Sequence, residues 1–179
     1  YSSNIGSARM ALKVGGNEQR NFLEKLGFFE PLSIEVAEKG QPLVPKKWSE
    51  GTIATVAFGY GLAVSPLHVV SGYAAMINGG IYHSPTLIKG SSKTKDGHRV
   101  ISFNTSKAMR DLMRLVVTDG SGRRANVPGY EVAGKTGTAN KLSAQGKYVD
   151  KKVRTTFVAA FPISNPKYAL IVMLDEPKP

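Results

Sequence analysis

Ala133-Gly-Lys-Thr-Gly-Thr-Ala139 is the stretch on which the reading of the whole chain turns. Tyr130 and Val132 precede it, and Thr136 and Thr138 alternate within it, so the segment from Tyr130 to Ala139 reads as a β-strand. Glycines on either side of Lys135-Thr136 clear space for a ligand to approach the backbone, and one cation with two hydroxyls suits a carboxylate. A phosphate loop is the rival, because Gly129-Tyr-Glu-Val-Ala-Gly-Lys-Thr136 formally matches G-x-x-x-x-G-K-T. That motif needs a helix after it. Strand-forming neighbours, a phosphate-repelling Glu131 and the lack of a Walker B acidic strand end argue against it.

Two further runs, Thr155 to Pro162 and Tyr168 to Asp175, share the same β-rich composition, which predicts three antiparallel strands in the last fifty residues. Upstream the period changes to that of helices. Ile5, Ala8 and Leu12 predict a helix over residues 3–14 that Gly15-Gly16 stops. A second helix is predicted from an Asn17 cap through Phe22, Leu23 and Leu26 to Gly27. From Phe28 to Thr55, Pro31, Gly40, Pro42, Pro45 and Gly51 predict a surface loop. Ser65-Pro66 starts the clearest helix, with Leu67, Val70, Ala74 and Ile77 on one stripe and Asn78-Gly79-Gly80 as its stop. Lys89 to Gly97 reads as an exposed loop, and Thr105 or Ser106 as the cap of a helix carrying Met109, Leu112, Met113 and Val116. Helices followed by hairpin-connected strands give an α+β fold, an antiparallel sheet flanked by helices.

The 179 residues suit one domain, with 41% hydrophobic and 21% charged residues excluding a disordered or fibrous chain. The absence of cysteine excludes a disulfide framework and thiolate metal sites. A net charge of +11, concentrated in residues 51–179, favours anionic partners, yet no base-reading helix or aromatic RNA signature accompanies it, and no nucleic acid is expected. His68, His83 and His98 lack carboxylate or histidine partners at ligand spacing and read as structural or surface residues. No metal and no cofactor are therefore expected. Trp48 reads as a half-buried anchor and Arg123-Arg124 as a solvated turn.

Tyr1-Ser-Ser-Asn4 directly precedes a helix and by itself is a capping sequence. Together with Lys135-Thr-Gly137 it supplies, in order, Ser-x-Asn and Lys-Thr-Gly, two of the three signatures of serine penicillin-recognising enzymes. Beyond these motifs the chain resembles the transpeptidase domain of class B, cell-division-type penicillin-binding proteins over essentially its whole length. The matching stretches include Phe58-Gly-Tyr-Gly-Leu-Ala-Val-Ser-Pro-Leu67, Asn78-Gly-Gly80, Gly120-Ser-Gly122, Ala133 to Lys141 and Phe157-Val-Ala-Ala-Phe-Pro162. Gly120-Ser-Gly122 departs from the family in having serine where threonine is usual, and Ser65 replaces a common threonine.

The resemblance implies a partial β-lactamase/transpeptidase-like fold, with residues 1–179 as part of a transpeptidase domain. The Ser-x-x-Lys segment is expected upstream of Tyr1 and a closing helix after Pro179. The two local matches, Ser92-Lys-Thr-Lys95 and Ser164-Asn-Pro-Lys167, come after Ser2-Ser-Asn4 in the chain and read as polar turns rather than the start of a buried helix. The implied activity is peptidoglycan D,D-transpeptidation by serine acyl transfer on D-Ala-D-Ala stem peptides, with β-lactams acylating the same serine. By resemblance Ser2 relays protons to the leaving amine, Asn4 binds the lysine of the missing motif and the substrate amide, and Lys135 keeps a positive field and contacts Ser2. Thr136 and Thr138 bind the terminal carboxylate, the Thr138 N–H serves the oxyanion hole, and Gly137 leaves the strand edge open. No Glu-x-x-Leu-Asn segment of class A β-lactamases is present. The resemblance also implies division-complex membrane proteins as partners through parts outside this chain, at the septum, on the periplasmic face of the inner membrane, with the anchor outside the chain. Alone, the fragment is expected to be inactive. The alternatives are a basic binding module for anionic polymer and a non-catalytic homologue that recognises β-lactams.

Overall fold

The computed structural model of the chain describes residues 2–91, 97–142 and 148–178. It divides into two compact units, one from Ser2 to Met109 and one from Arg110 onward. Among the described residues no helix is long and apolar enough to cross a membrane.

The first unit is helical. Ser3 accepts a hydrogen bond from the Gly6 N–H at 3.1 Å and caps α1 (Asn4–Val14). Helix α2 (Gly16–Lys25) follows at once, because Gly15, at φ 92°, both closes α1 through Ala11 and accepts the first α2 bond from Gln19. Asn17, predicted as the cap, therefore lies inside the first turn. Gly27 ends α2 in the left-handed region, as its position predicts.

The predicted loop from Phe28 to Thr55 conceals a helix. Ser49 accepts from the Thr52 N–H at 3.3 Å and opens α3 (Glu50–Val56), which buries Ile53. Gly51 and the β-branched Thr52, Ile53, Thr55 and Val56 are weak helix formers, so tertiary burial rather than propensity holds this helix. Nor is the segment all surface, since Leu32 is buried. Trp48 is the half-buried anchor expected of it: its Nε1–H donates to Gln19 at 2.9 Å, and its ring lies 5.8 Å from that of Phe29.

Helix α4 (Pro66–Ile77) begins and ends where the sequence places it. Its start is reinforced by a histidine. Ser65 Oγ accepts from the His68 N–H while His68 Nδ1 accepts from the Ser65 N–H, a reciprocal cap that ties down two helix-end donors. That bond fixes the tautomer, so Nε2–H donates to the Glu30 carbonyl at 3.0 Å. Gly72 of α4 stands where a Cβ would meet the Phe28 ring at 2.9 Å, and Leu26, Ala75 and Tyr82 form a buried core with Phe22, Phe28 and Val100 around it. Asn78-Gly79-Gly80 turns the chain into β1 (Ile81–Tyr82), which pairs antiparallel with β2 (His98–Arg99), a ribbon too short for the sequence to announce. The His98 Nε2–H donates to the Lys25 carbonyl at 2.7 Å. Of the predicted loop Lys89 to Gly97, residues 92–96 lie outside the described residues, as does the Ser92-Lys-Thr-Lys95 match.

Helix α5 (Phe103–Thr118) starts earlier than predicted, because Ser102 is its cap, accepting from the Thr105 N–H at 3.0 Å. Ser106 is fully buried one turn in, donating to the Met76 carbonyl and accepting from the Gly79 N–H. Met113 and Val117 are the buried residues of its second half, whereas Leu112, predicted on the apolar side, is exposed.

The second unit is the sheet. β3 (Ala133–Leu142), β4 (Tyr148–Phe161) and β5 (Tyr168–Asp175) form an antiparallel meander in the order β3-β4-β5. β3 begins three residues later than Tyr130, since Gly129 at φ 84° and Glu131 at φ 48° break the extended backbone. β4 begins well before Thr155. Because Gly134 to Thr138 lie in mid-strand and the chain returns as β4, not as a helix, the phosphate-loop alternative fails. Thus the α+β fold with an antiparallel sheet holds.

Replacing His68 by Ala removes a buried ring and leaves the Glu30 carbonyl and one Ser65 partner unsatisfied. In the full-length protein this variant is predicted to lose about 2–4 kcal/mol of unfolding free energy, read by denaturant melts, and an unchanged midpoint would show the cap to be dispensable.

Candidate functional site

The Lys-Thr-Gly-Thr motif sits on an edge strand, and its register sets what surrounds each residue. Gly134 faces Ala159, Lys135 faces Val158, Thr136 faces Phe157, Gly137 faces Thr156 and Thr138 faces Thr155. Side chains alternate along β3, so Lys135 and Gly137 share one face with buried Val158, and Thr136 and Thr138 share the other with Phe157. Among the described residues only β4 pairs with β3.

The two glycines act differently from the sequence expectation. The space they clear is taken by β4 rather than left for a ligand. A Cβ on Gly134 would collide with the Val158 carbonyl oxygen and stand 2.8 Å from the Phe157 ring, and one on Gly137 would stand 2.6 Å from Thr156 Oγ1. Here glycine permits close strand pairing.

Lys135 bends back along the strand, and its ammonium donates to the Thr136 carbonyl at 2.7 Å. Burial pushes its pKa below the ordinary lysine value, so it gives up its charge at lower pH than an exposed lysine does. Thr136 is held twice: its carbonyl takes Lys135, and its hydroxyl lies 2.7 Å from the Ser121 hydroxyl. Residues two apart in an antiparallel strand turn their peptide groups to the same edge, so the Thr138 N–H shares the edge of the Thr136 carbonyl.

Ser121 is the residue that sequence reasoning passed over. Gly120-Ser-Gly122 is visible there only as a departure from the usual threonine, without a role. The signal available was a small hydroxyl residue between two glycines, just ahead of a strand carrying its own hydroxyls. Arg123, next to it, donates through Nη2 to the Asp119 carbonyl at 2.7 Å.

Ser2 and Asn4 belong to the first unit. Ser3, which lies between them, is the residue whose hydroxyl caps α1. Asn4 is the first helical residue and is exposed. Ser164 lies in the turn between β4 and β5, with its hydroxyl on the Glu131 carboxylate, not at the start of a buried helix. This removes Ser164-Asn-Pro-Lys167 as a nucleophile motif. Among the described residues no group of three histidines or carboxylates is arranged to hold a metal ion.

The far end of the sheet carries a solvent-exposed ion cluster. Lys141 bonds Asp175 and Glu176, each at 2.8 Å, Lys152 reaches Glu176 and Arg154 reaches Asp175. Hydrogen bonds from Lys141 hold both carboxyls below the usual range. Their contribution is therefore present at neutral pH and fades as acid protonates them, and exposure keeps it small.

Comparison with known proteins places this arrangement in a family. Residues 1–178 match the model of the penicillin binding protein transpeptidase domain. The "Probable peptidoglycan D,D-transpeptidase FtsI" of Caulobacter vibrioides is 38% identical, over 99% of this chain and 32% of its own length. FtsI of Escherichia coli is 32% identical, over 99% of this chain and 30% of its own. Crystalline penicillin-binding protein 3 from Mycobacterium tuberculosis complexed with aztreonam superposes with a TM-score of 0.90 at 32% identity, over 98% of this chain and 44% of that one. The transpeptidase domain of Burkholderia pseudomallei penicillin-binding protein 3 gives 0.89 at 32% identity, over 98% and 54%. The chain thus spans about a third of the length of these curated relatives.

Gly134→Ala should separate β3 from β4 and cost more than the roughly 1–3 kcal/mol of ordinary overpacking, since the obstacle is a backbone carbonyl. Gly40→Ala, which meets nothing within 4 Å, should change stability by less than about 0.5 kcal/mol. Thermal melts of the two variants check this, and equal effects would contradict it.

Proposed function

This chain belongs to the penicillin binding protein transpeptidase domain family, and from that premise we propose that it is part of a peptidoglycan D,D-transpeptidase that cross-links stem peptides by serine acyl transfer. The observation that carries the reading is the Lys135-Thr-Gly-Thr138 strand, where one partly desolvated ammonium and two threonine hydroxyls stand on a strand that, among the described residues, pairs only with β4. A cation with hydroxyl and N–H donors in that arrangement recognises an anion and stabilises developing negative charge on oxygen.

In the reaction so proposed, a serine hydroxyl attacks the carbonyl carbon between the two D-Ala residues. The C–N bond breaks, the terminal D-Ala departs with a proton on its amine, and the amine of a neighbouring stem peptide then displaces the serine ester. Ser2 hands the proton to the leaving amine, Asn4 binds the substrate amide, and Lys135 holds the positive field. Thr136 and Thr138 bind the terminal carboxylate, and the Thr138 N–H takes the oxyanion. Gly137, between them, lets the strand lie close against Thr156 of β4. The nucleophilic serine and its lysine belong to a part of the protein outside residues 1–179, as does the closing helix. β-Lactams acylate the same serine, a reading supported by the relative described as complexed with aztreonam. The protein works outside the cytoplasm on the periplasmic face of the inner membrane, at the division septum, as the FtsI names of its relatives suggest. Nothing in the comparisons favours a polymer-binding module.

Intact-mass spectrometry of the full-length protein with benzylpenicillin tests this. One adduct, mapped by peptide digestion to a Ser-x-x-Lys serine outside residues 1–179, is expected. Absence of any adduct, or an adduct on a serine within these residues, would overturn the reading.

A further inference from the structure

Ser121 carries an inference beyond the motif residues, one that rests on the transpeptidase reading. We propose that Ser121 is a positioning residue for substrate-carboxylate recognition, donating its hydroxyl proton to Thr136 so that the Thr136 proton points outward to the anion. The two oxygens lie 2.7 Å apart, a full hydroxyl–hydroxyl hydrogen bond between residues fifteen apart in sequence.

Each hydroxyl has one proton and two acceptor sites, so a pair can be ordered in either direction. Thr136 Oγ1 can give its proton to a carboxylate only by accepting from Ser121. The chain Ser121 O–H to Thr136 O–H to carboxylate is then polarised in one sense, each bond strengthening the next. Without Ser121 the threonine hydroxyl is free to rotate away.

The serine is aimed by its surroundings, not by chance of rotamer. The Gly122 N–H closes the end of α5 on the Val116 carbonyl at 2.9 Å, and a Cβ on Gly120 would stand 2.8 Å from the Val116 backbone. A Cβ on Gly122 would come within 3.4 Å of the Phe157 ring, the residue directly across from Thr136. Behind it the chain forms a turn of 3-10 helix (Arg123–Ala125), with the Arg123 side chain on the Asp119 carbonyl. Arg114 then joins Asn126, at 3.1 Å, to the Val132 carbonyl at the foot of β3, at 2.6 Å. The loop and the strand are thereby one braced piece, and the hydroxyl of Ser121 is presented to Thr136 on it.

The test uses the full-length protein and two reagents, benzylpenicillin, which carries the carboxylate, and its methyl ester, which does not. Ser121→Ala is expected to slow acylation by benzylpenicillin roughly fivefold or more, while acylation by the ester stays within about twofold of the parent. Ser121→Thr, which keeps the hydroxyl and adds only a methyl, is expected to restore the benzylpenicillin rate. In a Thr136→Val background, Ser121→Ala is expected to add no further loss. Equal slowing with both reagents, an unchanged benzylpenicillin rate, or additive losses in the double variant would each overturn the proposal. If the unmutated protein is not acylated at all, the transpeptidase reading falls and this one with it; if it is acylated and the variants do not discriminate, this one falls alone.

Discussion

The packing of Phe157 against backbone that has no side chains is the constraint on which the sheet unit depends. Its ring stands 2.8 Å from where Gly134 would carry a Cβ, and a Cβ on Gly122 would rest against it at 3.4 Å, so the Lys-Thr-Gly strand and the loop before it both lie close to this one ring of β4. A ring so placed does three things at once. It sets the register that puts Thr136 directly across from it, it brings Ser121 to hydrogen-bonding distance of Thr136, and it contributes the apolar floor beneath an otherwise polar edge. Close-packed interiors leave little room for alternatives, and here the alternative to glycine at position 134 is a collision with a carbonyl oxygen.

On that floor the electrostatics are arranged by residue. Lys135 is partly withdrawn from water and anchored on the Thr136 carbonyl, which gives a positive charge a fixed position at modest desolvation cost. At the opposite end of β3, Lys141 is half-buried and bonded to Asp175 and Glu176. Much of the remaining positive charge is solvent-exposed, in keeping with a field that draws anions without specifying them.

The sequence disclosed what depends on strong local signals. Ser65-Pro66, Gly27, Asn78-Gly79-Gly80 and the β-branched runs of the three strands lie where their own chemistry fixes the backbone, and the helices and strands they bound are found there. What escaped was decided by tertiary contact. α3 forms from poor helix formers because Ile53 is buried, α5 starts at Ser102 because Ser106 is needed inside, at Met76 and Gly79, and Asn17 loses the cap because one glycine serves two helices. At the site, the Ser-x-Asn and Lys-Thr-Gly motifs are visible in the sequence and their expected roles come from the resemblance, whereas the contact of Ser121 with Thr136 depends on a fold that brings a loop back to a strand fifteen residues later. The meaning of Gly134 and Gly137 also needed the structure, since only the register shows that their missing side chains make room for β4.

The central claim is that the β3 edge, from Lys135 to Thr138, is where the anionic end of the substrate and the developing oxyanion are held. Residue-resolved amide hydrogen exchange on the full-length protein, free and acylated by benzylpenicillin, tests it most directly. The account predicts that exchange slows on acylation at Thr136 to Thr138, the Thr138 amide most of all, while the amides of β5 keep their free-state rates. Slowing confined to other segments, with the β3 amides unchanged in an acylated protein, would contradict it.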